Sequence, residues 1–173
     1  MLEDELKQPG HKRHRKFIVI LVILTVLAAG GVGGWVYLNH ANQSSPIPAA
    51  VRQQVDFPLY YPSRLPEGYS VSQAPAVSEG VAAMAIRTPS GDTIFISQQA
   101  APTGLNYQKF LSDELKRPQE FSTPIGIGYV GGPLGRTFGS ILTSKTWVLL
   151  NTVQGVNAES EIKQLMQALS VVK

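Results

Sequence analysis

The sequence predicts an exported α+β domain that follows a single membrane helix. Three observations support this fold class: an uninterrupted apolar run near the N-terminus, short β-like segments separated by turn residues, and two amphipathic helical patterns. We expect an antiparallel sheet of about five to six strands, preceded by one transmembrane helix, with two amphipathic helices packed on one face of the sheet.

The apolar run from Phe17 to Leu38 predicts the membrane helix. A helix of that length covers roughly 33 Å, which is enough for a hydrocarbon core of about 30 Å. Trp35 and Tyr37 stand where an interfacial aromatic belt is expected. The alternative is a cleavable signal peptide with residues 28–30 as its cleavage site, but the apolar character continues well beyond that point. The longer run favours an uncleaved anchor.

The distribution of charge predicts the orientation of this anchor. Basic residues cluster before the run, whereas the other flank has only His40 before Arg52. Because positive loops stay inside, residues 1–16 are predicted to be a cytoplasmic tail, and the C-terminal part is predicted to be extracytoplasmic at the cell membrane. The lipid bilayer is therefore the first predicted partner. The basic cluster consists of Lys7, Lys12, Arg13, Arg15 and Lys16.

Two glycines in the anchor suggest a contact between two copies of the chain. Gly30 and Gly34 form a GxxxG spacing, which lets membrane helices approach closely. A homodimer through these glycines is one interpretation. The other is that glycine is common in membrane helices and has no specific role here.

Composition excludes several function classes. Of the 15 Lys and Arg residues five precede the run, and of the 12 Asp and Glu residues three do, so the exported part carries a net charge of about +1 and no nucleic-acid footprint. The chain has no cysteine, and its three histidines (His11, His14 and His40) all precede the domain. Disulfides, thiolate chemistry, histidine triads and histidine metal sites are therefore excluded from it. We predict no catalytic, metal or cofactor-binding residues and no cofactor.

The exported part divides into a linker and one domain. Residues 39–56 are polar and interrupted by Pro46 and Pro48, which is typical of a short stalk, and the domain is predicted over residues 57–173. Its first predicted strand is Tyr69–Gln73.

A hairpin follows, with Val81–Thr88 and Thr93–Gln99 joined by a Pro-Ser-Gly-Asp turn. In its second strand Ile94 and Ile96 share one face, and Phe95 lies on the other.

The second half of the domain predicts a helix, three strands and a closing helix. The first helix starts near Asn106 and ends before Pro118. The strands are Ile125–Val130, Gly135–Leu142 and Thr146–Val153. The closing helix spans Ala158–Leu169, with Asn157 as its N-cap and an apolar stripe of Ile162, Leu165, Met166 and Leu169.

This pattern resembles the bacterial DUF4367 domain. The resemblance rests on LPEGY before the first strand, the hairpin ending in TIFISQQ, the glycine-spaced strands, TWVLLNT and the closing EIKQLMQALSVV, and it covers residues 57–172. That family is similar in outline to the LolA and RseB folds, and its members often follow a single membrane helix. Some carry a cytoplasmic anti-sigma zinc domain, from which this short tail without cysteine departs. The resemblance implies an exported domain with a binding function.

Three short motifs have a simpler structural interpretation than a catalytic one. The GxGxxG match over residues 126–131 is followed at once by Gly132 and Pro133, so it predicts a strand and turn rather than a dinucleotide loop. Ser160 and Lys163 have the SxxK spacing of serine acylases but fall on an ordinary amphipathic helix. The carboxylate pairs Asp113/Glu114 and Glu159/Glu161 are expected on solvated helix faces.

Aromatic side chains are the one indication of binding. Some of them would line an apolar cleft between sheet and helices in a lipid binder, whereas in a partner-binding domain they would fill the core. We therefore predict a non-enzymatic domain that engages an unknown protein or another component of the cell envelope; the alternative is a lipid or hydrophobic-ligand binder of the LolA/RseB type. An enzyme would need buried polar groups gathered in one pocket. The aromatic residues are Phe57, Tyr60, Tyr61, Tyr69, Phe121, Tyr129, Phe138 and Trp147.

Overall fold

The computed structural model describes residues 47–153 and 158–172. The predicted tail (1–16), the predicted anchor (17–38) with Gly30 and Gly34, and linker residues 39–46 lie outside them. Among the described residues, no helix is both long and apolar enough to cross a membrane. The anchor and its dimer contact therefore stay predictions.

The described residues form two antiparallel sheets. The larger has seven strands in the order β2-β3-β4-β8-β7-β6-β5, and the smaller pairs β1 with β9. The predicted antiparallel sheet is thus confirmed, and the described residues are mostly strand with few helices. The strands are β1 Tyr60–Pro62, β2 Ser70–Ser78, β3 Val81–Arg87, β4 Thr93–Ala100, β5 Gln119–Thr123, β6 Gly126–Gly131, β7 Phe138–Leu142, β8 Thr146–Thr152 and β9 Leu169–Val171.

The strand number exceeds the predicted five to six because three short strands escaped the sequence pattern. Strand β1 ends in a proline, β5 is polar, and β9 continues the apolar stripe of a helix. Each forms through pairing with a neighbour rather than through its own alternation: β1 with β9, and β5 with β6. The predicted hairpin and the three later strands are confirmed to within a few residues.

The described helices are short. Helix α1 spans Ala49–Arg52, α2 spans Tyr107–Phe110 and continues as a π-helical turn over Leu111–Leu115, and α3 spans Glu159–Ala168. Helix α2 begins next to Asn106, as predicted, and Asn106 caps it, because its side chain accepts a hydrogen bond from the Lys109 amide at 3.0 Å. Ala158 occupies the N-cap position of α3. The predicted N-cap, Asn157, lies outside the described residues.

One face of the larger sheet carries the hydrophobic core, and we call it the closed face. Strand side chains such as Ile86, Ile96 and Leu150 point to it, and Ile162, Leu165, Met166 and Leu169 pack on them with no exposed area. Two glycines allow α3 to approach: a Cβ on Gly139 would lie 2.6 Å from Ile162 Cγ2 and Met166 Sδ, and one on Gly128 would lie 3.0 Å from Met166 Cε. The apolar stripe predicted for the closing helix is confirmed.

The segment before β2 also packs on the closed face. The Gln98 side chain donates to the Tyr60 carbonyl at 2.8 Å and accepts from the Tyr60 amide at 2.7 Å. Ile47 and Val51 are buried in the same core. Residues 47–56, assigned above to the linker, therefore pack with the domain, since even short apolar side chains inside a polar segment are drawn into the core.

The two amphipathic helices lie on opposite faces of the sheet, so the expectation that they share one face is wrong. Gly139 points toward α3, whereas Ser140, the next residue of β7, accepts a hydrogen bond from Tyr107 of α2. Successive side chains of a strand point to opposite faces. Leu111 and Leu115 are buried yet do not belong to the main core cluster. An apolar stripe predicts that a helix covers a sheet, but it carries no information on which face.

Candidate functional site

The face opposite the core is covered over only part of its width. Among the described residues, the helix packed on it is the 107–115 segment, whose contacts are with β6, β7 and β8. The residues of β3 and β4 that point to this same face, among them Ala85 and Phe95, lie beyond these contacts. The residues that the structure describes therefore cover one half of this surface and leave the other half uncovered.

Four aromatic rings join the helix to the covered half. The Tyr107 ring stacks on Phe110 at 6.1 Å and meets the Tyr129 ring edge-on at 5.9 Å. Phe110 meets Trp147 edge-on, with ring centroids 4.8 Å apart. Such edge-to-face contacts are each worth about 0.5–1.5 kcal/mol beyond simple burial. These rings occupy the space between helix and sheet where the lipid-binding alternative places an apolar cleft.

Ser140 is the polar centre of this aromatic cluster. Its fully buried hydroxyl accepts hydrogen bonds from the Tyr107 hydroxyl and from Trp147 Nε1, both at 2.9 Å. Burial raises the pKa of Tyr107 to about 12, against which the hydrogen bond to Ser140 acts in the lowering direction. The Tyr107 hydroxyl and Trp147 Nε1 would be left unpaired by burial, and both find their partner in Ser140. The arrangement therefore fixes the helix rather than preparing a nucleophile.

The uncovered half has a mixed apolar and amide surface, which we call the open face. Its residues form two rows across neighbouring strands. Phe95, Leu149, Asn151 and Phe138 are half-buried, and the small side chains between them lie low and are buried. The first row is Ala85, Phe95, Asn151 and Phe138; the second is Ala83, Ser97 and Leu149, which continues into the covered half at Ser140.

The structure places the motifs of the sequence analysis in ordinary positions. The GxGxxG match forms strand β6, as predicted. Ser160 donates to Glu161 Oε2 at 2.7 Å, whereas Lys163 pairs with Glu159 Oε1 at 2.8 Å, so the SxxK residues do not meet. Asp113 pairs with Lys109 at 2.9 Å on an exposed helix face.

The aromatic residues named above do not gather in one place. Phe57, Tyr60 and Tyr61 are buried on the closed face, and Tyr69 and Phe121 pack at the border of that core. Tyr129, Phe138 and Trp147 belong to the opposite face, where Trp147 is 7% exposed. Most of them therefore fill space inside the domain.

Sequence reasoning missed the residues that define the second face. Ser140 has no local signal, because its role depends on strands and a helix far apart in the chain. The alternation of side chains along β4 predicts Phe95 on the face opposite Ile94 and Ile96, and its half-buried side chain agrees with this prediction. Its neighbours Asn151 and Phe138 would have been found only with the order of the strands, in which β8 inserts between β4 and β7.

Within residues 47–153 and 158–172, no three His, Asp or Glu side chains come together in a way that would hold a metal ion. No family model matches the chain, and no curated protein or solved structure matches it either.

Proposed function

We propose that this protein is a membrane-anchored, extracytoplasmic binding domain without enzymatic activity that engages a protein partner in the cell envelope. The observation that carries the proposal is the unequal cover of the two sheet faces. One face is sealed by α3 and the chain before β2, and the other leaves Phe95, Leu149 and Asn151 half-exposed. In this proposal the apolar run 17–38 anchors the domain, and residues 1–16 remain in the cytoplasm.

The chemistry of the open face supports a protein partner. Aromatic and aliphatic side chains lie beside amides and at the edge of a helix held by ring contacts, a combination typical of interface centres. The 107–115 helix is fixed by the hydrogen bond from the Tyr107 hydroxyl to Ser140 and by its ring contacts with Tyr129 and Trp147, so the surface beside it is preorganised.

The alternative, a lipid or hydrophobic-ligand binder, has less support. Such a site would need a hollow between helix and sheet, and the rings of Tyr107, Phe110, Tyr129 and Trp147 contact one another there. The DUF4367-like relationship remains a proposal that rests on the sequence pattern, and a role in the cell envelope follows from it.

Location is tested with thiol labelling, because the chain has no cysteine of its own. Ser45→Cys lies beyond the proposed anchor and Lys7→Cys before it. In intact cells a membrane-impermeant maleimide should label the Ser45 variant and leave the Lys7 variant unlabelled until the membrane is opened. Labelling of Lys7→Cys in sealed cells, or protection of Ser45→Cys, would contradict the proposed topology.

Partner binding is tested by site-specific photo-crosslinking in intact membranes. A photoreactive residue replaces Phe95 on the open face or, as the control, Lys145 in the exposed turn before β8. We expect a discrete protein adduct from position 95 that Leu149→Ser weakens, and none from position 145. Adducts with lipid alone would favour the hydrophobic-ligand alternative, and equal protein adducts from both positions would count against the open face.

A further inference from the structure

Arg136 is held at the rim of the open face by two contacts. Its guanidinium lies over the Phe138 ring, 4.7 Å from the centroid, and its Nε donates to the Thr152 carbonyl at 3.3 Å. These contacts occupy one face and one nitrogen of the group and leave the paired terminal nitrogens for another partner. An arginine fixed in this way loses less side-chain entropy when it binds a carboxylate.

Arg87 lies on the same rim. It ends β3 opposite Thr93 and, two residues after Ala85, points to the same face; its side chain is exposed. Among the described residues, the ion pairs are Lys109–Asp113 and Lys163–Glu159, so neither arginine of the rim pairs with a carboxylate. Asp92, the nearest acid along the hairpin, accepts a hydrogen bond from Ser90 inside the turn.

The size of the open face limits the partner to a short segment. The open face spans four strands of about 4.8 Å width, from β3 to β7, and two rows of about 7 Å each, so it covers roughly 270 Å². A standard protein interface buries about 800 Å² on each side. An extended stretch of chain fits this area better than the surface of a folded domain.

The strand spacing also fixes the pattern that such a segment would need. Arg87 ends β3 and Arg136 lies two residues before β7, and these two strands are about 14 Å apart. In an extended peptide, residues i and i+4 share a side and lie about 13–14 Å apart, with i+2 between them on the same side. The middle residue would then meet Phe95, which lies in the row next to the two arginines, and the outer two would meet the arginines.

We infer that the open face binds an extended segment of a partner protein that carries two acidic residues four positions apart with an apolar residue midway between them. Each outer carboxylate pairs with Arg87 or Arg136, and the middle side chain packs on Phe95. This inference rests on the proposed function and names the chemistry of the partner at that same surface.

The test uses the full-length chain in lipid nanodiscs and a displayed library of random ten-residue peptides. Selected peptides are synthesised and their affinity is measured by fluorescence anisotropy against the parent protein and variants. The charge variants are Arg87→Gln and Arg136→Gln, with Arg64→Gln as the matched control, since Arg64 is exposed in the loop that follows β1. Phe95→Ser and Leu149→Ser test the apolar part, and circular dichroism verifies that every variant is folded.

We expect the selected peptides to share the acidic–x–apolar–x–acidic pattern. Each rim substitution should weaken binding by about tenfold, the loss that corresponds to one charge-assisted pair, whereas Arg64→Gln should leave it unchanged. Arg136→Lys should restore only part of the affinity, because an ammonium cannot form the planar fork.

Two outcomes would overturn the inference in distinguishable ways. In the first, the selected peptides lack acidic residues, and their binding is lost with Phe95→Ser or Leu149→Ser but unchanged by both arginine substitutions. This result would exclude the acidic partner and remain consistent with the proposed function. Selected peptides that are insensitive to all four substitutions would show that the open face is not the binding surface, which removes the proposed function as well.

Discussion

The two faces of the larger sheet differ most clearly along a single strand, β4. Ile94, Ile96 and Gln98 point to the closed face and are at most 2% exposed. Phe95 and Gln99, which alternate with them, are half-buried on the opposite face. Adjacent residues of one strand therefore serve different ends: the first set holds the domain together, and the second presents side chains that the fold does not need to cover.

The closed face also binds its covering elements through hydrogen bonds between side chains and backbone groups. Gln98 satisfies both backbone groups of Tyr60, and the Thr146 hydroxyl donates to the Pro58 carbonyl at 2.7 Å. A buried polar group without a partner is costly, so these bonds fix the path of the chain. The comparison places most of the contacts that stabilise the fold on one side of the sheet, and the proposed function assigns partner binding to the other.

The largest expected effect contrasts two neighbouring glutamines. Gln98→Ala leaves the buried amide and carbonyl of Tyr60 without partners, at about 1–3 kcal/mol each, so we expect it to lower the free energy of unfolding by about 2–6 kcal/mol. Gln99→Ala, on the open-face side, should change it by less than about 0.5 kcal/mol. Urea unfolding of the full-length protein measures both. Equal effects would mean that the two faces contribute alike.

A smaller effect is expected at the hydroxyl that holds the 107–115 helix. Ser140→Ala removes the acceptor of two donors, and we expect a loss of about 1–3 kcal/mol. Tyr107→Phe removes one donor while Trp147 still satisfies Ser140, so the loss should be about 0.5–1.5 kcal/mol. The same urea titration, followed by tryptophan fluorescence, compares the two. If Tyr107→Phe costs more than Ser140→Ala, the hydroxyl is not the shared acceptor.

Alkaline pH should act on the same contact. The pKa of Tyr107 is raised from 10.0 to about 12 in the folded state, mainly by burial. Its contribution to stability is therefore complete below pH 10 and is lost as the pH rises toward about 12, because the unfolded chain releases its proton first. Tyr107→Phe should flatten the fall in stability over this range. A fall of unchanged slope in the variant would place the raised pKa elsewhere.

The smallest effect is expected at an exposed ion pair. Lys109 and Asp113 lie one helical turn apart with side chains 60% and 43% exposed. Lys109→Ala should lower the free energy of unfolding by no more than about 0.5 kcal/mol, as is usual for such pairs. Thermal unfolding at low and high salt provides the measurement. A loss above 1 kcal/mol would show that this helix contributes more to stability than its exposed position suggests.

Local pattern in the sequence predicted part of this fold. The alternation of Ile94, Phe95 and Ile96 assigned the faces of β4 correctly, and the spacing of Ile162, Leu165 and Met166 identified the buried stripe of α3. These features repeat over one element, so a short window contains them. Leu169, the first residue of strand β9, is predicted as the end of the helix because it continues the stripe, and pairing with β1 overrides that preference.

The candidate site depended on information that no short window holds. Ser140 meets Tyr107 and Trp147 only because β7 lies beside β8 and the helix crosses above them. Arg136 follows a glycine-rich turn, and its position over Phe138 arises from the turn of the chain rather than from any residue pattern. The order of the strands decides which side chains become neighbours, and that order was not predicted.

Single-cysteine labelling at adjacent positions tests the difference between the faces most directly. In the full-length protein, which has no other thiol, Phe95→Cys and Ile96→Cys are compared for their rate of reaction with a maleimide under native conditions. We expect Phe95→Cys to react within about tenfold of the unfolded chain, and Ile96→Cys, whose native side chain is 1% exposed, to react at least about a hundredfold more slowly. Equal protection at both positions would contradict an open face on this sheet.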